Sequence, residues 1–278
     1  MIEIPNPRPT ALFLSPHLDD VAFSCGGTVA ALHRLGWRVA IGTIFTASVP
    51  RPSGFPLACQ LDKGLAADID YMALRRDEDT AFGRAVGVDD LFWLGLPEAP
   101  HRGYASAPAL FADILPGDAI TRDVHAAITG LVGRLAPHLV FAPQAVGGHV
   151  DHRQVVHAAL GLTAVADRLI WYRDLPYAEK WPESPADPAL PGGLVEIPVE
   201  FASLDLGAKL AGYSCYATQV PFQFGDMANL CRRLAAFAAA EATRLTVPGP
   251  VETFLARAGA ASWLATATRS PALTSPVW

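Results

Sequence analysis

Short apolar runs alternate with longer segments of helical periodicity along most of the chain. Residues 10–14 (TALFL), 38–45 (RVAIGTIF), 90–94 (DLFWL), 138–142 (HLVFA) and 168–173 (RLIWYR) are apolar-centred runs of strand length. Unbroken runs of this kind suit strands buried on both faces. Between them, residues 24–35, 68–86, 121–135 and 153–166 have helical apolar spacing, and Gly36 and Gly87 mark the ends of the first two. Strand, polar loop, helix and strand in quick succession are a βαβ unit, whose crossover is right-handed. The pattern predicts an α/β fold, a mostly parallel sheet with helices on both faces. A further strand at 195–199 and helices at 203–213 and 226–244 follow. The Pro- and Gly-rich segments 47–65, 95–118 and 180–194 read as loops, and the tail from Thr246 has no clear assignment. No repeat or linker divides the chain, so one domain over residues 1–278 is expected, with its motifs within about 10–240.

Composition sharpens this picture. Hydrophobic residues make up 51% of the 278 positions and charged residues 17%. The mean hydropathy of +0.26 raises the question of a membrane. No apolar run approaches the roughly 18–20 residues that a spanning helix needs, and the start of the chain, with Pro5, Pro7 and Pro9, lacks the pattern of a signal peptide. A cytoplasmic protein without a transmembrane segment is expected, its hydropathy assigned to buried strands. With 21 Lys+Arg against 27 Asp+Glu the net charge is −6, which argues against a nucleic-acid partner. Cys25, Cys59, Cys215 and Cys231 are scattered and read as reduced thiols.

Two polar clusters stand out. His17-Leu18-Asp19-Asp20 follows the first strand, and Gly147-Gly148-His149-Val150-Asp151-His152 follows the fourth. Carboxyl ends of parallel strands line the binding crevice of an open α/β sheet, so the two clusters converge if those strands are neighbours. Histidines and carboxylates gathered there suit a divalent metal with an open position for water. Adjacent Asp19 and Asp20 do not easily point the same way; one would ligate while the other takes a proton from water. His149 and His152 divide in the same manner, one ligating and one facing the oxyanion, and spacing leaves the split open. Each cluster taken singly also suits a helix cap or a plain turn. The chain has no GxGxxG, no GxxxxGK[ST] and no GxSxG, which removes the usual nucleotide-binding and serine-hydrolase readings.

Leu14-Ser-Pro-His17-Leu-Asp19-Asp20 resembles the His-Pro-Asp-Asp motif of the PIG-L/LmbE-like N-deacetylases, and Gly148-His149-Val-Asp151-His152 resembles their His-x-Asp-His block. The Cys25-Gly26-Gly27 helix, Arg75 with Glu78, and Tyr213-x-x-Tyr216-x-x-Gln219 are similar to the surrounding family pattern. The resemblance implies a three-layer, Rossmann-like fold and hydrolysis of the N-acyl group, usually acetyl, of a glucosamine-type sugar or glycoconjugate. It implies one Zn2+ per chain held by His17, Asp20 and His152, with other divalent ions such as iron also suited to such donors. Asp19 then resembles the general base, His149 the protonated group at the oxyanion or leaving amine, and Asp151 the partner that orients a ligand histidine. Arg75 resembles a substrate-contacting arginine, with a helical ion pair to Glu78 as the alternative. Leu18 and Val21 depart from the family, which commonly has Pro and often Glu there; neither position ligates.

Other candidates rest on position. Tyr172, Asp174, Trp171, Arg173 and Tyr177 lie at the end of the fifth strand, where aromatics stack on sugars and a carboxylate shapes a site. His101, Arg102 and Tyr104 lie in a loop within reach of a ligand, and Phe222-Gln223-Phe224 would form a pocket wall, lid or interface. His33, His125 and His157 read as helix-surface residues, and His138 lies at the wrong end of its strand. A metal-dependent amidase of a thiol-sugar conjugate and a catalytically silent sugar-binding protein fit the same residues, and the sequence leaves homo-oligomerisation open.

Overall fold

A computed structural model describes residues 8–269. Its centre is a seven-stranded sheet in the order β3-β2-β1-β4-β5-β7-β6. The strands are β1 (Thr10–Ser15), β2 (Arg38–Phe45), β3 (Asp90–Leu96), β4 (Leu139–Pro143), β5 (Leu169–Tyr172), β6 (Val195–Glu200) and β7 (Val251–Ala256). The first five run parallel, and β7 pairs antiparallel with both β5 and β6.

The side-chain period of two sorts each strand between two cores. Ala11, Phe13, Val39, Ile41, Phe141, Ile170 and Phe254 face one layer, built mainly from α1 (Asp20–Arg34), α3 (Tyr71–Val86), α9 (Met227–Leu245) and α10 (Ala258–Ala267). Leu12, Leu14, Ala40, Ile44, Val140, Ala142 and Trp171 face the other, built from α4 (Ile120–Leu135) and α5 (Val150–Leu160). The short helices α2 (Phe55–Leu61), α6 (Tyr177–Lys180) and α8 (Gln219–Phe224) lie in the connections, and α7 (Ser203–Tyr213) packs on α1 and α3. The three-layer α/β architecture is as expected, and among the described residues no helix is long and apolar enough to cross a membrane.

Four local expectations need correction. Helix α1 begins at Asp20, not near Ser24, and α5 begins at Val150, not Arg153. His149 is the N-cap of α5 and its Nδ1 accepts from the Asp151 amide at 3.2 Å, a cap that a search for Ser, Thr, Asp or Asn overlooks. Two residues that looked like loop, Asp20 and Asp151, therefore sit in first turns of helices. The predicted helix 153–166 also breaks at Gly161 and resumes as a 3-10 turn over Thr163–Arg168. The 47–65 loop contains α2.

The tail left unassigned supplies β7 and α10; its residues 270–278, like residues 1–7 of the lead-in, lie outside the described residues. β7 brings a buried carboxylate into the helical layer. Glu252 Oε1 accepts from the Gly27 amide at 2.9 Å and from Lys209 Nζ at 2.6 Å, and Oε2 accepts from the Thr28 amide at 2.8 Å. Gly27 has a steric role here too: a Cβ at this position would lie 2.5 Å from the Phe201 ring.

Removing one partner of a buried ion pair costs about 3–5 kcal/mol because the other charge stays buried and unpaired. Glu252→Ala is expected to lower unfolding free energy by about that amount in urea titrations. A loss under about 1 kcal/mol would mean that Lys209 reaches water in the variant.

Candidate active site

The strand order reverses between β1 and β4, whose parallel register pairs Phe13 with Phe141. Their carboxyl ends are neighbours, so the loop before α1 and the loop before α5 open into one crevice. His17 Nδ1 lies 3.3 Å from Asp20 Oδ2, and His152 Nε2 lies 3.2 Å from the same oxygen. The donor atoms of His17, Asp20 and His152 all fall within 4.8 Å of one another.

The partners of these rings decide which atoms remain free. His17 Nε2 donates to Asp151 Oδ2 at 2.9 Å, and His152 Nδ1 donates to Asp174 Oδ1 at 2.6 Å. His152 Nε2 is buried and has no hydrogen-bond partner. Nε2 therefore faces a carboxylate oxygen at 3.2 Å, an arrangement that requires positive charge between the two, a proton or a cation. A divalent cation fits this donor set, two imidazole nitrogens and one carboxylate. His17, His149 and Asp151 form a second close group, but Asp151 is committed elsewhere. Its Oδ2 also accepts from the Ala99 amide at 3.0 Å, and its Oδ1 from Arg102 Nη2 at 2.7 Å.

Proton affinities reflect the same excess of carboxylate. Burial opposes charge on His17 and His152, yet the carboxylates of Asp151 and Asp20 raise the first, and Asp20 and Asp174 lift the second to about 9. Burial would raise Asp20, but His152 and His17 hold it well below the usual carboxylate range. Asp151 is likewise lowered against burial, by His17 and Arg102. Asp19 behaves oppositely: burial pushes it up to about 7, with Arg75 opposing and Asp20 adding.

The backbone separates the two adjacent aspartates. Asp19 adopts φ 150° and ψ −23°, an uncommon region for a non-glycine residue. While Asp20 faces the histidines, Asp19 Oδ2 accepts from Gln223 Nε2 at 3.0 Å and its Oδ1 lies 3.4 Å from Arg75 Nη2. Arg75 Nη2 also donates to the Leu18 carbonyl at 2.9 Å, and Nη1 to Glu98 Oε1 at 2.8 Å. Arg75 thus clamps the loop that carries Asp19. The alternative, an ion pair with Glu78, is absent among the described residues; Glu78 accepts from the Thr218 amide at 2.7 Å and hydroxyl at 2.8 Å.

His149 differs from its expected protonated state. Burial, reinforced by the nearby His17, lowers it to about 3. Because Nδ1 accepts from the Asp151 amide, the neutral ring carries its proton on Nε2.

These groups border a cavity of about 440 Å³ lined by His17, Asp19, Asp20, Arg75, His101, His149 and Asp151. Two expected substrate contacts do not reach it. Tyr172 is fully buried in the core and its hydroxyl donates to the Leu14 carbonyl at 3.0 Å. Asp174 is fully buried behind His152, where Oδ1 fixes that ring and Oδ2 accepts from the Val146 amide at 3.1 Å. Arg102, expected in a ligand-facing loop, instead ties Asp151 to Asp118. The aromatic part of the wall comes from Phe55, Tyr71, Phe111, Tyr177, Trp181 and Phe222, and Lys63, Glu98, Lys180 and Gln223 are among its polar lining. Of these, Tyr177 and the 222–224 segment had a positional signal; Phe55, Tyr71, Phe111 and Trp181 had none.

A buried His/Asp cation site with a separate carboxylate beside it, at the switch point of a three-layer sheet, is the apparatus of a metal-dependent amide hydrolase. Residues 12–163 match the PIG-L family, described as GlcNAc-PI de-N-acetylase, and the chain belongs to that family. It is 32% identical over 217 residues to the 2'-N-acetylparomamine deacetylase of Streptomyces fradiae, over 76% of this chain and 74% of that protein. The crystal structure of the A40926 pseudoaglycone deacetylase is similar with a TM-score of 0.74 and 26% identity, over 90% of this chain and 97% of the other. A deacetylase of the teicoplanin biosynthesis pathway, solved as a bog complex, gives a TM-score of 0.78 and 25% identity, over 88% and 96%. Family and site together make this chain a metal-dependent deacetylase.

Partners of a ligand histidine typically change metal affinity about 10–100-fold. Asp174→Asn keeps the shape but weakens the hold on the His152 tautomer. Chelator-competition titration is expected to show zinc binding weakened within that range, whereas unchanged affinity would remove Asp174 from this role.

Proposed function

We propose that the chain is a zinc-dependent hydrolase that removes the acetyl group from the 2-acetamido group of a GlcNAc-type glycoside or glycoconjugate. The observation that carries this reading is the buried Nε2 of His152 facing Asp20, which lines the cavity together with Asp19. The relatives named above, which include deacetylases of N-acetylparomamine and of an A40926 pseudoaglycone, support the choice of substrate class.

In this reading His17 Nδ1, Asp20 and His152 Nε2 hold one zinc ion. When bound, zinc supplies a Lewis acid that polarises the acyl carbonyl and acidifies water. Asp19 takes the proton from water during attack. Its pKa of about 7 also suits it to return that proton to the amide nitrogen. Arg75 and Gln223 keep its two oxygens in place. The neutral His149 donates from Nε2 to the developing oxyanion, a role that needs no ionised imidazole. Asp151 and Asp174 fix the tautomers of His17 and His152. The C–N bond breaks, and acetate and the free amino sugar leave.

Acetate release from a panel of N-acetylglucosaminides tests this directly. Activity should vanish with chelator and return with zinc, and Asp19→Ala should lower kcat by about 10²–10⁴-fold. Activity indifferent to both changes would overturn the assignment.

A further inference from the structure

A row of aromatic rings leads from the site to the surface. The Tyr177 ring centroid lies 5.2 Å from that of His152, and Tyr177 stacks on Trp181 at 6.2 Å with an interplanar angle of 4°. Phe111 meets His149 edge-on at 5.2 Å and also contacts Tyr177 and Trp181, each at 5.7 Å. The outer two rings are unusually open for their size: Phe111 is 39% and Trp181 45% exposed. Beyond them lies a second depression of about 600 Å³, lined by Ala107, Pro108, Phe111, Gly147, Trp181 and Ser184, with no charged side chain. Ala107, Phe111 and Trp181 line both spaces, so the depression continues the catalytic cavity. Gly147 lets the backbone pass close beneath this wall: at its φ of +83° a Cβ would lie 3.1 Å from the Trp181 ring and 3.0 Å from the Tyr177 Cβ.

A single amino sugar can stack one face on one ring, but a row of three rings with an uncharged depression beyond it offers more apolar surface than one sugar covers. Exposed aromatic rings beside a cavity mouth mark a place that a ligand covers. We infer that the groove is a subsite for an apolar aglycone, an aryl or alkyl group carried by the amino sugar. This rests on the deacetylase reading and extends it: the substrate is an apolar glycoconjugate that lies along the Tyr177–Trp181–Phe111 wall while its 2-acetamido group sits over the metal site. Its chemistry at the reacting bond is unchanged; only recognition is added.

The test compares phenyl and octyl glycosides of N-acetylglucosamine with the methyl glycoside. For the zinc-loaded enzyme, kcat/KM should favour the apolar glycosides by about tenfold or more, within the range that apolar pocket contacts supply. Trp181→Ala, which removes the wall, and Ser184→Phe, which fills the groove, should both bring that ratio toward one. Calorimetric binding in the Asp19→Ala background gives the same comparison without turnover. Equal binding of all three glycosides, no binding of any, or a ratio untouched by both variants would overturn the subsite. A series of methyl glycosides with N-acyl groups from acetyl to octanoyl separates the other source of apolar contact. A Trp181-dependent gain with acyl length in place of one with aglycone would assign the groove to the acyl chain and overturn the proposal. Aglycone-dependent binding without acetate release from wild type would leave the subsite standing and remove the deacetylase reading.

Discussion

Asp174 accepts a hydrogen bond from Nδ1 of the completely buried His152, and the rest of the site follows from that bond. With Nδ1 committed at 2.6 Å, the Nε2 lone pair of His152 points at Asp20 Oδ2 across 3.2 Å. Two electron-rich atoms do not face each other in a dry interior without positive charge between them. His17, turned by Asp151 so that Nδ1 faces the same oxygen, completes the requirement. The sheet topology makes the encounter possible, since β1 delivers His17 and Asp20, β4 delivers His152, and β5 ends at Tyr172, two residues before Asp174.

The same environment divides two neighbouring aspartates. Asp20 faces two histidines and is held ionised; Asp19, turned away by an uncommon backbone conformation, is buried with weaker compensation and rises to about 7. One carboxylate is therefore suited to hold a cation and the other to exchange protons, though their sequence positions are adjacent. His149 completes the set as a neutral donor, because His17 and burial together disfavour a second positive ring.

Much of this is legible in the chain itself. Apolar runs mark the five parallel strands, and β1, β2, β4 and β5 give an unbroken signal because they are buried on both faces; β6, with Glu196 and Pro198, is partly exposed and is marked only by its alternation. Polar clusters after the first and fourth strands become a site only when those strands pair, which local pattern does not determine. The sequence places the starts at Asp20 and Val150 too late, because the first N-cap, Asp19, turns its side chain to Gln223 and Arg75 instead of to the helix, and the second is a histidine. The sequence leaves β7 unassigned because Glu252, a charge near the start of a short run, reads as surface until Lys209 and two α1 amides meet it. Tyr172 and Asp174 illustrate a different limit. Nearness to a strand end identified both, but alternation and loop path decide which way each points, and both turn into the protein. The cavity walls at Phe55, Phe111 and Trp181 come from Pro-rich connections with no periodicity to interpret.

The central claim is that His17, Asp20 and His152 form a cation site created by the partners behind them. Anomalous diffraction at the zinc edge from crystals of the zinc-loaded protein tests it most directly. The account predicts one strong peak per chain, bounded by His17 Nδ1, Asp20 Oδ2 and His152 Nε2. A peak bound elsewhere, or none at that position in zinc-loaded crystals, would contradict it.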